Sequence, residues 1–257
     1  MTDTRIVVCA DAQDIASHAL DLLLTGLGAG IDERGVAHLA LTGGSSASAL
    51  FELLRSDERA RGVDWTRVHV WQGDERFVPL DHPDRNWATA LRVWLAGDGR
   101  TGGDAGAGPV LHPIPVDAAI DGDHDAAWAA AHYAEEIEAA LPRVSGIPAF
   151  DVLLLGMGGD GHILSTFPGT PPMLEEHVPV MAVAAPTHIE PHLPRVTLSP
   201  FLLRGARDIV VMVPGAGKAE TVAKVLGSPP EPARLPAQLA VRPNATWLLE
   251  PASAARL

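Results

Sequence analysis

Cysteine occurs once in the 257 residues, as Cys9 in the apolar run RIVVCA. That excludes an intrachain disulfide and makes a reducing compartment the simpler reading, with Cys9 as a small core residue. Lysine occurs only at Lys218 and Lys224, although arginine is plentiful. Positive charge as a whole is short, with 19 Lys and Arg against 32 Asp and Glu and a formal charge of −13. A chain of that sign is not built for general affinity to nucleic acid or anionic membrane, which select clustered Lys and Arg. An anionic substrate would require the few positive groups to be gathered at its site. No apolar run reaches the ~20 residues needed to cross a bilayer, and MTDTRIVV lacks the layout of a signal peptide, so a soluble, cytoplasmic protein is expected. HExxH, paired CxxC and EF-hand spacings are missing and the 11 histidines are scattered, so no catalytic metal is indicated.

What is present describes a globular chain: 47% hydrophobic and 20% charged residues, long enough to bury a large core. One domain over residues 1–257 is expected. Short apolar runs alternate with amphipathic stretches, the pattern of an α/β fold with parallel strands covered by helices on both faces. The runs predict strands at Ile6 to Cys9, Ala37 to Leu41, Val68 to Gln72, Val152 to Leu155, Val178 to Val183, Ile209 to Val213 and Thr246 to Leu249. Ala12, Ile15, Ala16, Ala19, Leu20 and Leu23 share one face of a helix capped by Asp11. Further helices are predicted at Ala47 to Leu54, Asn86 to Leu95, Trp128 to Leu141 and Ala219 to Leu226, with loops at Gly97 to Gly108 and Gly227 to Pro236.

Five segments carry possible chemistry. LTGGSS, Leu41 to Ser46, lies where a strand gives way to a helix; its free N–H groups suit a phosphate, and a serine-capped turn accounts for it equally. VWQGDERFVPLDHPDRNW, Val70 to Trp87, gathers charge at a strand end, where ligands bind in parallel sheets, or is an exposed charged loop. FDVLLLGMGGDGHILSTFPGTPP, Phe150 to Pro172, matches G-x-G-x-x-G, but Pro168, Pro171 and Pro172 leave no room for the helix that a dinucleotide site needs. Glu175 and Glu176, the nearest acids at suitable spacing, precede an apolar run instead of ending one. The loop is better suited to aiming one imidazole, His162, which sits among glycines two residues after Asp160. LPRVTLSP, Leu193 to Pro200, is the fourth. The fifth, VPGAGKAETVAKVL, imitates a Walker loop, but Met212 replaces its first glycine and Ala219 its Ser or Thr; Lys218 is a phosphate ligand or a surface lysine.

In order and content these segments (TGGSS, WQGDERFV with DHPDRN, LLLGMGGDGHILSTFPGT, PRVTLSP, PGAGK) resemble the 6-phosphogluconolactonase family within the glucosamine-6-phosphate isomerase/deaminase superfamily. The resemblance runs from Thr42 to Lys218. It implies a Rossmann-like, mostly parallel α/β fold without a nucleotide cofactor, and hydrolysis of a phosphorylated sugar lactone in the oxidative pentose phosphate pathway. By position it implies that Gly43, Gly44 and Ser45 form the phosphate loop. Arg76, Arg195 and Lys218 supply positive charge around the substrate. His162 takes the general-base position, with Asp160 beside it. Ser46-Ala47, Arg85 and Arg204 depart from the family pattern, and none of them removes a proposed catalytic group.

Hydrolysis of a lactone needs a positioned water, a base and a donor for the oxyanion. An imidazole, with a reference pKa of ~6.5, suits the base, and Arg76 or a backbone N–H suits the oxyanion. A monomer is expected. The sister deaminases carry a segment like FNEPG after the histidine, where a glutamate supports it; STFPG here favours the lactonase. A sugar-phosphate-sensing regulator would need a helix-turn-helix region, for which the early strand at Ile6 leaves no room.

Overall fold

A computed structural model describes residues 4–95, 108–170 and 177–257, with the backbone alone at Ser45 and Ser46. The predicted loop at Gly97 to Gly108, except its last residue, and the residues Pro171, Pro172, Glu175 and Glu176 lie outside the described residues. The strands are β1 (Arg5–Val8), β2 (Ala37–Leu41), β3 (Val68–Gln72), β4 (Asp74–Arg76), β5 (Val110–His112), β6 (Arg143–Val144), β7 (Ile147–Pro148), β8 (Val152–Gly156), β9 (Val180–Val183), β10 (Arg195–Leu198), β11 (Asp208–Val213) and β12 (Ala245–Leu249). The helices are α1 (Ala12–Arg34), α2 (Ser45–Ser56), α3 (Glu58–Arg61), α4 (Asn86–Ala90), α5 (Val116–Asp121), α6 (Ala126–Ala140), α7 (Ala219–Gly227) and α8 (Pro251–Ala254).

Seven strands form one parallel sheet in the order β1-β12-β11-β8-β2-β3-β5. Alternate strand residues feed two separate cores. Leu39, Val70, Leu154 and Met212 pack under α1, α2 and α4, whereas Ala40, Trp71, Leu153 and Val211 pack under α5, α6 and α7. Both faces are therefore buried, which is why these strands read as continuous apolar runs. Each large apolar side chain buried this way contributes roughly 1.5–3 kcal/mol, so the helices are held to the sheet far more by packing than by propensity. α1 begins where the Asp11 carboxylate accepts from Asp14 N at 2.8 Å, as its sequence pattern predicts. Tyr133 of α6 is fully buried; its hydroxyl accepts from Gln72 N at 2.8 Å and donates to His112 O at 3.1 Å, pinning the ends of β3 and β5.

The run predicted at Val178 to Val183 forms β9, but outside the parallel sheet. It belongs to a three-stranded antiparallel sheet, β4-β10-β9. Gly73 joins the two sheets: its N–H donates to Leu41 O and its carbonyl accepts from Leu198 N, each at 2.7 Å. An apolar run defines burial, and pairing direction is set by the connections on either side. The helix predicted from Asn86 to Leu95 is α-helical only to Ala90 and then widens into a π turn over Leu91–Leu95. No described helix is long and apolar enough to cross a membrane.

Candidate active site

From the centre of the large sheet, β2, β3 and β5 step toward one edge while β8, β11 and β12 step toward the other. At such a reversal the loops leaving neighbouring strands part, and a crevice opens beyond their carboxyl ends. A cleft of about 180 Å³ lies there, lined among others by Gly43, Gly44, Arg76, His162, Arg195 and Lys218. Six of the eight residues expected from the sequence thus line one cavity. Asp160 stands behind His162, and Ser45 opens α2 directly after Gly44; its side chain lies outside the described residues.

β8 delivers the glycine loop. Gly161 adopts φ +86° and Leu164 φ +54°, the latter a costly left-handed conformation for a branched side chain, held here by burial at the cleft wall. No helix opens at Gly161, so the loop lacks the geometry of a dinucleotide site. His162 Nδ1 lies 2.6 Å from Asp160 Oδ1, and the same oxygen accepts from His162 N at 3.1 Å. The imidazole lies so close over Gly158 that a Cβ there would be 2.1 Å from Nδ1. Burial alone would raise the Asp160 pKa; hydrogen bonds and charge from His162 and His188 outweigh it and hold the carboxyl well below its ordinary range. An ionised Asp160 draws the ring proton to Nδ1 and leaves Nε2 as the basic nitrogen.

The phosphate-loop candidates follow β2. Gly44 has φ +79° immediately before the twelve-residue α2, and Gly43 lies against Asn86, where any Cβ would come within 2.2 Å of the amide. The N-terminus of α2, free of a side-chain cap, therefore opens at the cleft with N–H groups available to an anion. Cations come from three other segments. Arg76 of β4 and Arg195 of β10 are directly paired across the small sheet. Arg76 donates to Asp84 O at 2.6 Å; Arg195 donates to Pro191 O at 3.2 Å and lies over the Phe167 ring, 5.2 Å from its centroid. Both Nε atoms are buried without an acceptor among the described residues. Lys218 ends the turn before α7, and burial pulls its ammonium below the ordinary lysine value.

The charged segment after β3 divides into two roles. Glu75 is fully buried and accepts from Asn86 N at 2.9 Å and Trp87 N at 2.8 Å, capping α4; burial raises its pKa against those bonds and the charge of Arg85. Arg85 is buried between Glu75 Oε2 at 3.1 Å and Asp117 Oδ2 at 2.9 Å. These two build the frame, while Arg76 faces the cleft. Beyond the eight expected residues, Asp74, Asn86, Thr42 and Leu164 also line the cleft, and His188 reaches Asp160 from the segment before β10. Asp74 and Asn86 lie inside motifs that the sequence displays; nothing local marks His188. Among the described residues, one grouping of metal-ligand types (Cys9, Asp14 and His18) lies at the start of α1 and not in the cleft.

A model of the glucosamine-6-phosphate isomerases/6-phosphogluconolactonase family matches residues 10–249. The chain belongs to this family. It is 37% identical to the 6-phosphogluconolactonase of Mycobacterium tuberculosis, covering 99% of this chain and 98% of that protein. The 6-phosphogluconolactonase of Streptomyces coelicolor is 33% identical, covering 100% and 96%. Among solved structures, that of the Trypanosoma brucei 6-phosphogluconolactonase superposes with a TM-score of 0.84 at 26% identity, covering 100% of both chains. The Rossmann-like α/β fold expected from the sequence is the fold of the family.

Proposed function

We propose that the chain hydrolyses 6-phospho-D-glucono-1,5-lactone to 6-phospho-D-gluconate in the oxidative pentose phosphate pathway, acting as a cytoplasmic monomer. The observation that carries the reading is an imidazole held by a carboxylate, Asp160–His162, in a cleft that also collects Arg76, Arg195 and Lys218.

The phosphate is bound at Gly43, Gly44 and Ser45 with Lys218 and Arg195, and its binding energy orients the ring over His162. His162 Nε2 takes a proton from water as the water oxygen adds to the lactone carbonyl. Arg76 or a loop N–H stabilises the oxyanion. Collapse of the tetrahedral intermediate breaks the bond to the ring oxygen, which takes its proton from His162, and the new carboxylic acid ionises at neutral pH. A serine nucleophile is not needed: Ser165, the hydroxyl nearest in sequence to His162, is buried and donates to Asp74 Oδ2 at 2.7 Å. Deamination fits less well, because the position of the supporting glutamate in that branch holds Phe167, whose ring packs 4.8 Å from that of His162.

The test is hydrolysis of freshly generated 6-phosphoglucono-δ-lactone above its spontaneous rate, beside unphosphorylated gluconolactone. His162→Ala is expected to lower turnover by roughly 10²-fold to 10⁴-fold without unfolding the protein. No rate above background in the folded protein removes the lactonase reading; full turnover by the variant removes His162 as base.

A further inference from the structure

Asp160 has a second partner. One carboxylate oxygen is occupied by His162, through ring Nδ1 at 2.6 Å and the backbone N–H at 3.1 Å; the other faces His188 Nε2 at 2.9 Å. His188 lies in the irregular segment between β9 and β10, 47% exposed at its side chain. That segment is itself anchored near the site. Pro191 O accepts from Arg195 at 3.2 Å, and Pro186 O accepts from His192 Nδ1 at 2.6 Å. Phe167 stands between the two histidines, 4.8 Å from the His162 ring and 5.8 Å, edge-on, from that of His188.

We propose that His188 is a positioning residue for His162, acting through Asp160. The inference rests on the reading of His162 as the general base. A carboxylate turns easily about its last torsion, which has broad, roughly two-fold preferences. Asp160 stands between Gly159 and Gly161, so its neighbours in the chain bring no side chain against it, and the packing that leaves it 19% exposed includes both histidines. Hydrogen bonds must therefore set its plane. With a donor on only one oxygen the group can swing and carry the imidazole with it. With His162 on one oxygen and His188 on the other, the plane is fixed at two points, and with it the orientation and tautomer of His162. Like Asp160, His188 stands behind the residues that line the cleft, which places it to act on the base.

The expected effect falls on kcat. His188→Ala lowers kcat roughly tenfold, the scale of a small misplacement of a reacting group, while KM stays within about twofold. His188→Gln, whose amide N–H reaches to about where Nε2 does, restores most of it. A second readout does not depend on turnover: in nitrogen-15 NMR of the imidazoles, assigned with His162→Ala, His162 is expected as the Nδ1–H tautomer in the wild type and in His188→Gln, and as a mixture in His188→Ala. An unchanged kcat and tautomer in His188→Ala overturns the proposal. So does a loss that glutamine fails to rescue, or one that appears in KM alone, since either marks a structural or substrate-binding role. Should His162→Ala retain full turnover, the base reading fails separately, and the tautomer measurement still decides whether His188 fixes His162.

Discussion

Acidification between pH 7.5 and 5 is expected to destabilise the protein through a histidine remote from the cleft. His38 of β2 is 2% exposed, and its Nδ1 accepts from Trp71 Nε1 at 3.2 Å. Its ring centroid lies 4.9 Å from that of His69, whose Nδ1 is 2.8 Å from His112 Nε2. Burial pulls the His38 pKa from 6.5 down to about 3, with His69, His112 and Arg34 adding to the effect. The unfolded chain therefore takes up this proton first. The stability held by neutral His38 is complete above pH ~6.5 and is lost progressively as pH falls toward about 3. The full drop from 6.5 to about 3 corresponds to an upper limit of roughly 5 kcal/mol. Integrated only from pH 7.5 to 5.0 it comes to about 2 kcal/mol, a large part of an ordinary domain's stability. His69, also lowered by burial and by His112, adds with the same sign. Urea unfolding at closely spaced pH values, in the wild type and in His38→Gln, separates the two. Glutamine keeps an acceptor for Trp71 and does not titrate. The wild type is expected to lose about 2 kcal/mol more than the variant over this range. Parallel pH profiles would refute the assignment, whatever the variant's absolute stability.

Two further substitutions probe the cleft. Lys218→Ala should raise KM for the phosphorylated lactone with little change for unphosphorylated gluconolactone; unchanged selectivity between the two would remove Lys218 from the phosphate site. Gly158→Ala places a methyl 2.1 Å from His162 Nδ1, so the ring must move; kcat should fall by about 10²-fold with the thermal midpoint nearly unchanged, and wild-type turnover would show that the ring is free to shift without cost.

Much of the site is legible in the sequence because its parts are local. TGGSS and GMGGDGH each place glycines where only glycine fits, against Asn86 at Gly43 and against the imidazole at Gly158, so the pattern and the geometry have one cause. The parallel strands are legible because two-sided burial leaves continuous apolar runs. What stays hidden is long-range. β10 pairs with β4 across more than a hundred residues of chain, and only that pairing brings Arg195 beside Arg76. β5, a three-residue edge strand, is too short to show a period. His188 reaches Asp160 over 28 residues from a segment with no regular structure. The charge of Glu75 and Arg85 reads like an exposed loop, yet both are buried and structural, because charge density in sequence does not distinguish a solvated run from an internal ion pair.

The arginine pair sets two like charges directly opposite one another in an otherwise acidic chain. Residues directly opposite in antiparallel strands project to the same side, and like charges there are destabilising. Arg76 and Arg195 occupy such a pair, and burial pulls the Arg195 guanidinium below its ordinary value, with Arg76 working in the same direction. Asp74 relieves this only in part, 3.9 Å from Arg195, with its carboxylate also engaged by Ser165 and Asn86. The cleft thus brings together more cationic than acidic side chains, Arg76, Arg195 and Lys218 against Asp74. Bound phosphate would supply the missing counter-charge for the arginines and for the half-buried Lys218 at once. A net charge of −13 repels anions at long range, and contacts within a few ångströms decide binding once salt has screened that field over roughly 8–10 Å. A small phosphorylated ligand in the cleft would lie within that distance of Arg76, Arg195 and Lys218.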